Sequence, residues 1–599
     1  MILGGASGAW GDSSFAVSQL LDDGRCGYIL FEALAEITMG ILTRARSRNP
    51  HLGYATDVIE MIGRELPRIV EQNARVITNA GGIHPEAAAA LLRARAEAHG
   101  IHLRIACIEG DNLLGRVDAL RSLGVAEMRE GTPLVDSPLS FNAYLGARPI
   151  AAALDAGADV VVTGRCVDSA LALGPLIHEF GWEAGDFDRL SQGSLAGHLL
   201  ECGPQATGGI LTDSEDVQGW DDPAYPIAEC FADGSFLLTK PARSGGLVDV
   251  RTAAEQLLYE IGDPSAYLLP DVTCDWRFVT LQSVGPDRVS VRGARGTPPS
   301  GSLKACAQTN DGYKVTALLF IAGRDATRKA ERFAEALLKR VARLLVRDGY
   351  APLRAHDVEV LGAEATYGPH AEARGTREVV VKVALHHDDR EALAAAIREV
   401  GSFGMVVPGL TGGGTGLPRP TPVIRLHSYL VPRDRVDVRI ALDGSPVPYD
   451  AGSLSMDGYG EPRAVEEIAS MAIDDPVEAP LVAIAHARSG DKGPDSNIGV
   501  RARHPDFLPV LRQQLSAAVV ARWFAHRLGN SQPVEDAVLR YDLPGIDALN
   551  FVLRDSLGGG GIGSLRFDPQ GKAYAQQLLD MPVSIPRAWL EHPSLRPFA

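Results

Sequence analysis

The chain is poor in the features that mark a disulfide scaffold, a zinc ribbon or a secreted protein. Its 7 cysteines, Cys26, Cys107, Cys166, Cys202, Cys230, Cys274 and Cys306, are odd in number and contain no CxxC pair, a pattern that points to free thiols in a reducing compartment. Met1-Ile2-Leu3-Gly4-Gly5-Ala6 has neither the basic start nor the apolar run of a signal peptide, and nowhere does an apolar run approach membrane-spanning length. The expectation is a soluble cytoplasmic protein with no membrane partner. Positive charge is also in deficit, 58 Lys and Arg against 75 Asp and Glu for a net charge of −17. No domain-scale basic footprint exists for nucleic acid, so an anionic ligand would need a local cluster. No Walker lysine motif or dinucleotide fingerprint supports ATP or NAD dependence, and the N-terminal glycines at 4, 5, 8 and 11 do not form GxGxxG, which leaves no cofactor identified. There is no solenoid repeat and no low-complexity tail.

What is present describes an ordinary globular chain of unusual length. Hydrophobic residues make up 45% and charged ones 22% of 599 positions, values typical of packed soluble proteins. One core cannot serve such a length, and about three or four domains are expected.

From Met1 to about Gly181, short apolar runs alternate with helical periods: Arg75 to Asn79, His84 to His99, Leu103 to Ile108, Ile150 to Gly157, then Asp159 to Thr163. Strand, helix, strand predicts a largely parallel α/β sheet, and wholly apolar strands predict helices on both faces. An open sheet and a closed barrel share this local pattern. Turn-rich sequence from Trp182 to about Asp275 reads as an elaboration on that domain. A second α/β region follows over 278–450, with a strand at Lys314 to Ile321 and a long amphipathic helix at Ala326 to Val346. Residues 451–480 read as a short helix and linker. The last segment, 481–599, orders strand, loop, strand, helix, strand, strand, helix and fits a small ferredoxin-like α+β module. The first domain is assigned to 1–277.

Candidate site residues gather where the parallel strands end. Thr78-Asn79-Ala80-Gly81-Gly82, Glu109-Gly110-Asp111 and Arg165-Cys166-Val167-Asp168 follow apolar runs, at the edge where α/β folds bind ligands. Arg165 has the fork to clamp a carboxylate or phosphate, and Asp168 can orient it or act as a base; an Arg–Asp pair locking the helix start is the plainer alternative. The glycines around Gly8, ahead of Asp12 and a helix from Ser14, suit either an anion at backbone N–H groups or a tight turn in which Asp12 only caps. His198, Glu201 and Cys202 fall within one helical turn, offering imidazole, carboxylate and thiol together, or a buried structural cysteine. Without a third ligand, no metal is assigned.

Near the C-terminus, Ala485 to Lys492 passes from an apolar run into Arg488-Ser489-Gly490-Asp491-Lys492-Gly493, and Asn497 precedes a second apolar run. More polar groups stand there than a hairpin turn needs, which suggests either a ligand-contacting loop or a solvated turn. Asn550 on a later strand and the glycine run at 558–563 complete the candidates.

With these residues in hand, the chain resembles the acyclic terpene utilisation protein A (AtuA) family fused to its companion module. The resemblance rests on Gly4 to Asp12, Leu34 to Met39, Arg48-Asn49-Pro50, Thr78 to Gly82, Thr163-Gly164-Arg165 with Asp168-Ser169-Ala170, Gly197 to Cys202 and Gln256 to Pro264. The module matches at Arg488 to Gly493, Asn497 to Val500, Ala548 to Phe551 and Gly571-Lys572. It implies catabolism of citronellol- or geraniol-type terpenes through branched acyl-CoA thioesters, with coenzyme A entering as part of the substrate.

The reading that joins residues and resemblance is a lyase or hydro-lyase acting beside the thioester carbonyl. In it Asp12 or Asp168 is the base, Arg165 holds a substrate carboxylate, and glycine-loop N–H groups hold the enolate. His198 and Glu201 assist; Arg488 and Lys492 bind CoA phosphates or complete the crevice. Gly8, Asn79, Gly81, Gly82, Asp111, Asp491, Asn497 and Asn550 line it, in a homo-oligomer whose module docks against the first domain of its own or a neighbouring chain. The alternatives are a non-catalytic scaffold or activator of acyl-CoA enzymes, and an acyltransferase or thioesterase built on Cys202.

Overall fold

The computed structural model describes residues 1–414, 416–450, 471–529, 533–561 and 563–598. Five parallel strands form the centre of the largest sheet, in the order Ile2–Gly8, Tyr28–Glu32, Arg75–Thr78, Val160–Thr163, Ile105–Glu109. Tyr28–Glu32 and Val160–Thr163 are buried throughout, as expected where helices cover both faces. One face packs with Leu171, Leu195 and Leu257 in a large apolar cluster, the other with Val17, Ile59 and Leu92.

Antiparallel strands extend both ends, Ile227–Cys230, Phe236–Thr239, Arg288–Arg292 and Thr280–Gly285 on one side and Arg439–Leu442 with Ser445–Val447 on the other. The sheet is therefore open, which the local pattern left undecided. It also crosses the expected boundary at 277/278. Strands from 280–292 and 439–447 join the first sheet, while Ser140–Ala143 from the first region pairs with Ser302–Ala322 in the second. Long-range pairing of this kind leaves no mark in local composition. The expected strand at Lys314 to Ile321 lies inside the long strand Ser302–Ala322, and the helix after it spans Ala326–Arg347, its apolar face buried through Phe333, Leu337 and Val341.

The segment expected to be turn-rich contains the helix Phe187–Leu200, almost wholly buried beneath the sheet edge. Of the expected linker, 451–470 lies outside the described residues, and Pro476–Pro480 is a strand paired with Pro582–Pro586.

In the C-terminal module, four antiparallel strands run in the order Ala485–Lys492, Asp495–Ala502, Ala548–Leu553, Val538–Leu543. The polar segment expected to be a loop is instead strand up to Lys492, and the turn is confined to Gly493 and Pro494. Several polar side chains of this sheet meet partners on the first domain. Asn497 Nδ2 donates to Leu258 O at 2.7 Å and its Oδ1 accepts from Glu260 N at 2.9 Å. Asn550 Nδ2 donates to Gly262 O at 2.7 Å, and Arg503 and His486 converge on Asp213. A Cβ on Gly499 would stand 2.4 Å from Leu258 Cβ, so close docking of the strand requires glycine there.

Candidate functional site

The C-terminal ends of the parallel strands deliver Ser7, Glu32, Asn79, Asp111 and Arg165 to one edge. The helix Phe187–Leu200 closes over that edge. Its end sits so near the first strand that a Cβ on Gly8 would fall 2.8 Å from the Cys202 backbone. Between them lies a small, partly open space of about 10 Å³ lined by Ser7, Glu32, Asp168 and Glu201, with Gly5, Leu200 and Gly197 among the apolar walls. That volume holds about one water molecule.

Three carboxyl groups around one small cavity cannot all ionise equally. Burial, with the negative charge of Asp168 nearby, pushes Glu32 up to about 8, so it is largely neutral at pH 7. Its Oε1 accepts from Leu34 N at 2.7 Å and Asn79 Nδ2 at 3.1 Å. Asp168 differs: its side chain is 35% exposed and its Oδ1 accepts from Arg165 Nη1 at 2.7 Å. The Arg165 guanidinium lies 4.2 Å above the Tyr144 ring and is buried. Asp111, raised to about 6 by burial, accepts from Arg165 N at 3.0 Å and Asn142 Nδ2 at 2.8 Å; it holds the loop that carries Arg165.

His198 stands behind Glu201. Its Nε2 lies 3.3 Å from Leu257 O, an acceptor only, and its Nδ1 lies 3.0 Å from Glu201 Oε1. With the Nε2 hydrogen on the carbonyl, Nδ1 and Glu201 share one proton, and burial raises Glu201 in step. Trp276 packs 5.2 Å from the imidazole and stacks on Tyr267. Cys202 is a poor nucleophile here, since burial and neighbouring carboxylates push its thiol far up.

Module residues form the outer lip. Arg488 lies 4.3 Å over the Tyr259 ring and donates to Gln205 Oε1 at 2.7 Å. Lys492 donates to Glu260 O at 2.7 Å with its ammonium 5.0 Å from the Tyr267 ring. Lys572 reaches Tyr259 OH, Glu260 at 3.0 Å and Asp491 at 3.4 Å.

A family model described as acyclic terpene utilisation family protein AtuA matches residues 1–442, and one described as the AtuA ferredoxin-like domain matches 479–584. The chain belongs to the AtuA family. Membership supports a role in acyclic terpene utilisation. No curated protein and no solved structure gives a match.

In this AtuA-family chain the sequence candidates separate into three groups. Asp168 and Glu201 line the cavity, with Arg165 and His198 bonded to them. Asn79 and Asp111 hold loops beneath it. Asp12 belongs to the N-terminal turn: its Oδ2 takes the Gly8 N–H at 2.9 Å and its Oδ1 accepts from Tyr225 OH at 2.7 Å. The Gly8 N–H is thus already used. Gly82 N donates to Asn79 O in a turn at φ +56, and Gly81 packs against Pro85. Asn497 and Asn550 fasten the module, and Arg488, Asp491 and Lys492 lie at its lip.

Glu32, Ser7, Tyr259 and Lys572 were missed as site residues. Glu32 ends the apolar run Tyr28–Phe31, so the strand-end rule applied to Asp111 would have found it; nothing local announces Tyr259. Among the described residues, His504, Asp506 and His592 bring three metal-type ligands together, on the module and apart from the cavity walls.

Proposed function

We propose that this chain is an enzyme of acyclic-terpene or related branched acyl-CoA catabolism, a lyase or hydro-lyase that moves a proton beside the carbonyl of a CoA thioester. The observation that carries the reading is the set of unlike carboxyl groups around one water-sized cavity at the carboxyl edge of a parallel sheet. Pairs of titratable groups driven apart by their surroundings are how acid and base roles are divided at one pH.

Asp168, paired with Arg165, serves as the base. Glu32, neutral until about pH 8, serves as the proton donor, and the His198–Glu201 pair stores one proton between them. Such general acid–base groups contribute roughly 10²–10⁴-fold each. Lys492 and Lys572, exposed on the module, supply positive charge at the rim for CoA phosphates. Because the Gly8 N–H is spent on Asp12, the enolate oxygen is stabilised from elsewhere on the rim.

The test is incubation of the purified protein with a panel of branched acyl-CoA esters, followed by mass spectrometry. Turnover that falls at least about 100-fold in Asp168→Asn and Glu32→Gln supports the reading; an unreactive panel removes its main support. Cys202→Ser should leave turnover within about twofold, as the raised thiol requires, and a large loss there would favour covalent acyl transfer.

A further inference from the structure

Arg488 is a buried cation whose charge has not been neutralised. Its side chain leaves the strand Ala485–Lys492 toward the first domain and is only 7% exposed. Among the described residues it makes one hydrogen bond, to Gln205 Oε1, and no ion pair within 4 Å; its Nε has no partner. Two other arginines of the crevice and seam are paired: Arg503 with Asp213 at 2.6 Å, Arg165 with Asp168 at 2.7 Å. Glu255, a buried carboxyl group on the same helix as Leu257, makes no ion pair with Arg488; both its oxygens accept from Thr212 N, at 3.1 and 3.2 Å. Isolating a charge from water without a counter-ion is costly, and an Arg fork left open is shaped for a carboxylate.

The position fits a ligand. Gln205, which holds the guanidinium together with Tyr259, lies in the short turn Gly203–Thr207 that follows Glu201, so the charge sits one turn beyond the wall of the carboxylate cavity. We propose that Arg488 receives a carboxylate carried on the acyl chain, distal to the reacting carbonyl, so that the substrate is the monothioester of a dicarboxylic acid. The distal-carboxylate assignment rests on the thioester reading above only in naming the other end of that molecule. It differs from CoA-phosphate binding by Arg488, for which the exposed Lys492 and Lys572 are better placed.

The experiment titrates the full-length protein with glutaryl-CoA, butyryl-CoA, free coenzyme A, glutarate and butyrate, reading affinity from thermal shift. Wild type should bind glutaryl-CoA at least about tenfold more tightly than butyryl-CoA, the value of one charge-assisted pair. In Arg488→Met the ratio should fall to about one while butyryl-CoA is held as before. Should that variant not fold, Gln205→Glu places a carboxylate at the open fork: it should raise the melting temperature and abolish the same preference. A preference for glutaryl-CoA that persists in both variants overturns the proposal, as does its absence in wild type. So does an Arg488-dependent affinity for free coenzyme A. If no thioester binds yet glutarate outcompetes butyrate only when Arg488 is intact, the thioester reading falls and the carboxylate site stands; no Arg488-dependent difference in either pair ends it.

Discussion

Glu32 and Asp168 are chemically near-identical groups made different by where the chain puts them. Glu32 ends a strand buried on both faces and accepts two hydrogen bonds on one oxygen, whereas Asp168 stands outside the last strand in partial contact with solvent and is paired to Arg165. The difference has a consequence for stability. An unfolded glutamate ionises near 4.3, roughly four units below the folded value of about 8. Between those values the folded state binds the extra proton, so stability is fully present below the lower value and is lost as pH rises through the upper one. Glu32→Gln should remove that slope: from pH 5 to 8 the wild type should lose on the order of 3–4 kcal/mol relative to the variant. Parallel melting curves across that range would show that Glu32 ionises normally. At this scale much of the candidate site was legible, since Asp168 and Arg165 follow from polar residues at a strand end and Glu201 from its helical spacing to His198. Glu32 was hidden only because a single carboxylate closing an apolar run looks like a solvated terminus.

The strand Ala485–Lys492 is the element whose sequence says least about its conformation. Alternation of apolar and polar residues marks a strand with one wet face, yet here His486 and Arg488 are buried polar groups that meet the first domain, and buried Ser489 bonds Gly571 O within the module. Charge and small residues therefore read as a loop, and only the partner surface reveals a strand. The same surface makes the docking residues structural, and Asn497 is the most committed of them. Asn497→Ala orphans Leu258 O and Glu260 N and removes the bond to Asn550, which should cost about 2–4 kcal/mol in urea unfolding. A midpoint within error of wild type would mean that the seam is looser than these bonds imply. Gly499→Val should destabilise by at least about 1–3 kcal/mol, because its Cβ overlaps Leu258. If the variant melts like wild type, the close approach is not needed.

At the scale of the whole molecule, the fold class was readable because parallel strands and covering helices leave repeated local patterns, and the family resemblance extends over both units. The partition was less readable. Arg439–Leu442 pairs with Ile105–Glu109 across more than three hundred residues, and Ser140–Ala143 lies in the sheet of the second region. Such exchanges tie the regions into a frame that presents one crevice, with carboxyl groups from the first domain inside and cations from the module outside. The work proposed for this frame is proton transfer, and deuterium reports it without knowledge of the final product. The protein is incubated in deuterated water with branched and dicarboxylic acyl-CoA esters, and the recovered thioester is weighed by mass spectrometry. The account requires deuterium beside the carbonyl in the wild-type reaction and at least about a 100-fold slower incorporation in Asp168→Asn. No incorporation into any thioester, or incorporation that Asp168→Asn leaves unchanged, would contradict it.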